Sequence, residues 1–173
     1  MKRLVISALA AALAGAACNA AGITEASTSR RAADASLLGG ATLVECPTSA
    51  TSSASGLVTP LGGVVTAGGT TITVPAGAVL LPTTITVTVP ASNYMEVDIS
   101  VAGVEHFVFQ QPVTVTLSYA RCTRSDIDKT PLTAWHIDGN TKALLEAMGG
   151  VDDKVARTVT FPTGHLSGYA LAN

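Results

Sequence analysis

The sequence is poor in charge and in aromatic rings. Of its 173 residues, 13% are Asp, Glu, Lys or Arg and 4% are aromatic. The formal net charge is −2, so there is no positive field to hold a phosphate backbone, and nucleic acid is not an expected partner. Beyond the leader no amphipathic helical period lasts more than two turns, which argues against a helical bundle. There is no Gly-x-Ser-x-Gly elbow, no phosphate-binding loop and no dinucleotide fingerprint, so the common catalytic and nucleotide-binding motifs are missing. The apolar run Leu4–Ala17 is too short to cross a bilayer as a permanent helix.

What is present begins with a leader. Lys2 and Arg3 form a short positive start, followed by the apolar run, so residues 1–17 are read as a signal peptide. Gly15-Ala16-Ala17-Cys18 resembles a bacterial lipoprotein cleavage site, which would make Cys18 the lipid-bearing first residue. Such sites usually carry Leu three residues before the cysteine; here that position is Gly15, with Leu13 two residues earlier. The alternative is ordinary secretion, with cleavage near Ala17, Ala20 or Ala21. Either reading exports the protein. Three cysteines are an odd count for an exported chain. With Cys18 lipidated, Cys46 and Cys122 remain as a pair that an oxidising compartment would join, the alternative being two separate thiols. A bond between them would close a long loop and contribute on the order of 4 kcal/mol.

Residues 18–55 are rich in Ala, Ser, Thr and Gly and keep no period for long. We read them as a tether, with Thr48–Ser55 as its most repetitive part. The folded domain is expected over residues 56–173. Val64–Thr66 and Thr71–Val74 flank Gly68-Gly69, the signature of a tight hairpin. Thr84–Val89 alternates strictly, with Ile85, Val87 and Val89 on one face and threonines on the other. Met95–Val101, Glu105–Phe109 and Val113–Tyr119 follow as strands, with Pro112 as a break. A second hairpin is expected around Asp138-Gly139-Asn140, with Trp135 and Ile137 inward and His136 outward. Ala156–Phe161 and Leu166–Ala172 would close the domain across a turn at Pro162-Thr163-Gly164. Many short strands punctuated by turns predict an all-β, antiparallel β-sandwich.

Gly62-Gly63-Val64, then Ile72-Thr73-Val74-Pro75-Ala76-Gly77-Ala78, resembles the opening of a ZU5 domain. Pro112-Val113-Thr114-Val115-Thr116-Leu117 is similar to a later strand of that family. The resemblance covers Gly62–Tyr119 and implies a β-sandwich used for protein contacts. The family occurs in larger multidomain proteins, whereas this chain is short and carries an export leader, so the fold transfers better than any partner does.

Some ZU5 and related modules cut themselves at a His-x-Ser/Thr site, and His165-Leu166-Ser167 matches that pattern. His165 would help deprotonate the Ser167 hydroxyl, which would attack the Leu166 carbonyl in an N-to-O acyl shift. The competing reading is an ordinary closing strand, with His165 at a turn and Ser167 on the surface. The three histidines, His106, His136 and His165, lack metal-ligand spacing, and no metal or cofactor is expected. The acidic turns Asp126/Asp128, Asp138-Gly139-Asn140 and Asp152-Asp153 do not fit an EF-hand, and turn chemistry accounts for them. Tyr94, Tyr119 and Tyr169 raise the possibility of carbohydrate contact. The expected function is therefore a non-enzymatic envelope or secreted module with binding or structural roles. Its partner would be a protein or other envelope component, and its membrane link the lipid on Cys18. A self-cleaving module cutting at Leu166-Ser167 and a carbohydrate-binding module are the alternatives.

Overall fold

The computed structural model describes residues 40–173. The signal peptide, Cys18 and most of the expected tether lie outside that range. The described residues contain thirteen strands and no helix. These are β1 (Glu45–Thr48), β2 (Ser52–Val58), β3 (Gly63–Ala67), β4 (Thr70–Val74), β5 (Thr83–Val89), β6 (Ser92–Tyr94) and β7 (Glu96–Val101). They continue with β8 (Val108–Ser118), β9 (Thr133–Ile137), β10 (Leu144–Gly149), β11 (Val151–Asp153), β12 (Thr158–His165) and β13 (Gly168–Ala172).

They form a six-stranded sheet in the order β10-β9-β13-β7-β5-β2 and a five-stranded sheet in the order β11-β12-β8-β4-β3, with a small β1-β6 ribbon. All pairings are antiparallel. The sandwich core follows from strand alternation. Ile85, Val87 and Val89 of β5 join Val97 and Ile99 of β7 from one sheet. Ile72 and Val74 of β4, with Val113, Val115 and Leu117 of β8 and Phe161 of β12, come from the other. The outward residues on the same strands pair as hydroxyls: Ser53 with Thr88 at 2.9 Å, Ser55 with Thr86 at 2.8 Å, Thr66 with Thr71 and Thr116 with Thr160 at 3.0 Å. Such cross-strand pairs add a few tenths of a kcal/mol each, up to about 1 kcal/mol.

Several boundaries differ from the sequence reading. The domain begins before Gly56. Ser52–Ser55, read as linker, pairs with Val89–Thr86 of β5. Residues 42–44 are also bound: Thr42 and Asn173 exchange backbone hydrogen bonds, and Val44 N donates to Leu171 O. Small hydroxyl residues look like linker by composition, yet on an outer strand face they pair with threonines. Pro112 does not break its strand. It lies in β8 where the β4 ladder has already ended at Thr114 and the β12 register shifts, so its missing N–H leaves no bond unmade. Pro162 likewise stays inside β12, past Thr160, where the β11 pairing stops. The expected turn at Pro162-Thr163-Gly164 therefore moves on to Leu166 and Ser167, which carry the chain from one sheet to the other.

The first hairpin is as expected: Gly68 and Gly69 have φ of 56° and 83°, the left-handed pair that a two-residue turn needs. The second is longer. Asp138 Oδ1 accepts from the backbone N–H of Asn140 and Thr141, and the positive φ, 60°, falls on Lys142 rather than on Gly139. This directs Lys142 Nζ onto the buried Glu96 at 2.6 Å.

Cys46 and Cys122 form a disulfide between β1 and the loop that follows β8, spanning a sequence separation of 76. That loop is pinned from below. Lys154 Nζ donates to the carbonyls of Ile127 and Thr130, and Arg157 donates to the carbonyl of Cys122 and pairs with Asp128.

Candidate functional site

β9 alternates, and its faces are the reverse of the expectation. Trp135 and Ile137 pack on the outer face with Ala170, Ala172, Leu43 and Leu144. Ala134 points into the main core, and His136 shares that side. The outer face of this sheet is covered by residues 41–44, which composition alone does not reveal, so an indole there is still buried.

Register then places three side chains in a row across the six-stranded sheet. Glu146 of β10 pairs with His136 of β9, and His136 pairs with Tyr169 of β13. His165, the last residue of β12, reaches the row from the facing sheet. The His136 and His165 rings meet edge to face, with centroids 5.3 Å apart. One ligand atom each of His136, Glu146 and His165 lie within 4.8 Å of one another. The two histidines are half-buried and Glu146 is exposed.

Tyr169 is fully buried behind them, with the His165 ring stacked 6.1 Å away. Its hydroxyl donates to the carbonyl of His165 and lies 2.9 Å from Thr163 Oγ1 and 3.4 Å from His165 Nδ1. Burial, eased by Thr163 and reinforced by Glu146, pushes the Tyr169 phenol up to about 12, so it stays protonated. Burial also holds His136 below the usual imidazole value. The adjacent His165 adds to this and Glu146 opposes it.

His136 and His165 open on a groove of about 520 Å³ that His106, Phe107 and Ser167 also help to line. All three histidines of the chain thus meet at one groove, although their sequence spacing sets them apart. Phe107 and Val108 also wall a second cleft, of about 250 Å³, with Val79, Leu80 and Leu81. Leu80 and Leu81 are each 73% exposed and Val108 66%.

The expected His165–Ser167 pair occupies the crossover. Leu166 N donates to Phe107 O and Ile99 N donates to Ser167 O, so the segment is held from both sides. Among the described non-glycine residues only Lys142 and Arg157 have positive φ, and the His165 ring faces Tyr169 and His136. The acidic turns do not converge. Asp126 pairs with Arg124, Asp128 with Arg157, and Asp138 and Asp153 each accept two backbone N–H groups of their own turns. Of the tyrosines, Tyr119 and Tyr169 are buried and Tyr94 is half-buried. Sequence reasoning missed Glu146 altogether, and it took Tyr169 only as a candidate carbohydrate contact. Neither lies in a motif, and only the pairing of β10, β9 and β13 puts them beside a histidine. No protein-family model matches the chain, and no curated protein matches it.

Proposed function

We propose that the protein is an exported, non-enzymatic β-sandwich module of the cell envelope. A lipid on Cys18 anchors it, and it binds a protein or envelope component through the end of the sandwich that carries the two clefts. The observation that carries this reading is the exposed aliphatic wall of Leu80, Leu81 and Val108 beside the histidine-lined groove. Exposed aliphatic side chains grouped at one site mark a contact surface, because water gains when they are covered. The leader, Cys18 and the similarity of Gly62–Tyr119 to ZU5 domains support the same reading. A carbohydrate module would need an exposed aromatic platform, and Trp135, Tyr119 and Tyr169 are buried. The hydrogen bonds that hold Leu166 and Ser167 on both sides favour a structural crossover over a cleavage site.

The test is photo-crosslinking in intact cells from a benzophenone amino acid at position 81. A discrete adduct is expected, and it should vanish in the double variant Leu80→Asp/Val108→Asp. No adduct at 81, or one that survives the double variant, would overturn the docking surface.

A further inference from the structure

We propose that His136, Glu146 and His165 form a binding site for a divalent transition metal of the zinc class. The site opens on the groove used above, but the inference stands on the cluster alone and holds whether or not the aliphatic cleft docks a partner.

The donor set is the first argument. Two imidazoles and one carboxylate match the ligands that zinc takes in sites with three protein donors. Imidazole ligands suit zinc, copper and nickel, whereas calcium and magnesium prefer all-oxygen shells. Spacing is the second argument. With metal–ligand bonds of about 2.0–2.2 Å, tetrahedral ligands stand roughly 3.3–3.5 Å apart. The three ligand atoms already lie within 4.8 Å of one another, so closing onto an ion needs an adjustment on the order of 1 Å. Glu146 supplies most of it, since its side chain is long and exposed.

The surroundings are the third argument. The Tyr169 hydroxyl donates a hydrogen bond to the His165 carbonyl. The same hydroxyl lies 3.4 Å from His165 Nδ1, and in the tautomer that carries its proton on Nδ1 the other ring nitrogen, Nε2, keeps the lone pair a metal takes. A histidine ligand fixed in this way by a partner on its other nitrogen is the usual arrangement at metal sites. Tyr169 is a positioning residue here, itself held by Thr163. His136 and His165 line the groove, which gives an ion a path to them, and Glu146 is exposed, so the ion would meet solvent for its fourth ligand. Because His165 comes from one sheet and His136 and Glu146 from the other, a bound ion would tie the two layers together at the crossover.

The experiment is isothermal titration of the chelator-stripped full chain with zinc chloride. One equivalent should bind saturably, with a Kd in the micromolar range or tighter. Glu146→Gln and His136→Gln should each raise Kd at least tenfold. The double variant His136→Gln/His165→Gln, which keeps His106, should bind no stoichiometric zinc. Glu146 is exposed, so its variant keeps the test sound if a histidine change disturbs folding, and far-ultraviolet circular dichroism checks each fold. Cobalt added in place of zinc should give the visible absorption of a four-coordinate site, and Glu146→Gln should lose it. Failure of the wild type to saturate, unchanged binding in the double variant, or no effect of Glu146→Gln would overturn the three-ligand site.

Discussion

Asp152 shows how much one side chain can organise. Its carboxylate accepts from the Tyr119 hydroxyl at 2.7 Å, from the backbone N–H of Leu132 at 2.8 Å and from Lys154 Nζ at 2.8 Å. Burial alone would raise its pKa. The hydrogen bonds from Lys154, Tyr119 and Leu132 outweigh burial and hold it below its ordinary 3.8. A carboxylate depressed by folding stabilises the protein above the unfolded value and loses that contribution as pH falls through the folded one. Asp152→Asn should therefore cost about 2–3 kcal/mol at pH 6 in urea unfolding. The gap to wild type should narrow below about pH 4, where the unfolded chain's carboxylate takes up its proton before the folded one does. A gap that stays constant down to pH 2 would remove Asp152 from this role. Nothing in the sequence singles Asp152 out, since Asp152-Asp153 reads as a turn. The histidines were equally hard to place: each sits alone in its segment, and their meeting depends on strand register and on which face of β9 is covered. Gly62, by contrast, has a role that its residue type alone explains. Its φ is 94° and a Cβ there would stand 2.5 Å from the Val74 carbonyl oxygen, and a glycine before a valine-threonine strand signals such a turn.

At the scale of elements, strands with strict alternation were readable and those with prolines were not. Thr83–Val89 and Gly63–Val74 follow their pattern because each strand has one buried face, and in the second the Gly68-Gly69 turn also fixes register. Pro112 and Pro162 misled because proline only disrupts a ladder where a partner strand needs its N–H, and both sit where one neighbour has stopped. The pairing of Cys46 with Cys122 was expected once Cys18 was set aside as the lipid-bearing residue of an exported chain, with two separate thiols as the alternative, and the bond is there. What that reading could not show is that the bond ties the β1–β6 ribbon to the polar loop after β8. Arg121 braces the same joint by donating to the carbonyls of Cys46 and Tyr94. Replacing both cysteines by alanine should cost about 4 kcal/mol, most of it through a less restricted unfolded chain. Urea unfolding of the double variant measures this. A loss under about 1 kcal/mol would mean that Lys154, Arg157 and Arg121 hold the loop without it.

At the scale of the whole molecule, the chain divides its tasks. The outer faces of the sheets carry paired hydroxyls and the core carries valine, isoleucine and leucine. Chemistry-bearing groups gather at one end, around the crossover from β12 to β13. The proposed docking surface of Leu80, Leu81 and Val108 adjoins the histidine-lined groove through Phe107 and Val108. The proposed function requires a protein that is anchored and intact. Intact-mass spectrometry under denaturing conditions, on protein extracted from membranes of the producing cells, tests this most directly. It should give one species running from Cys18 to Asn173 with the mass of acyl chains added. Cys18→Ala should lose that added mass and leave the membrane fraction. An unmodified wild-type mass, or two fragments meeting between Leu166 and Ser167, would contradict it.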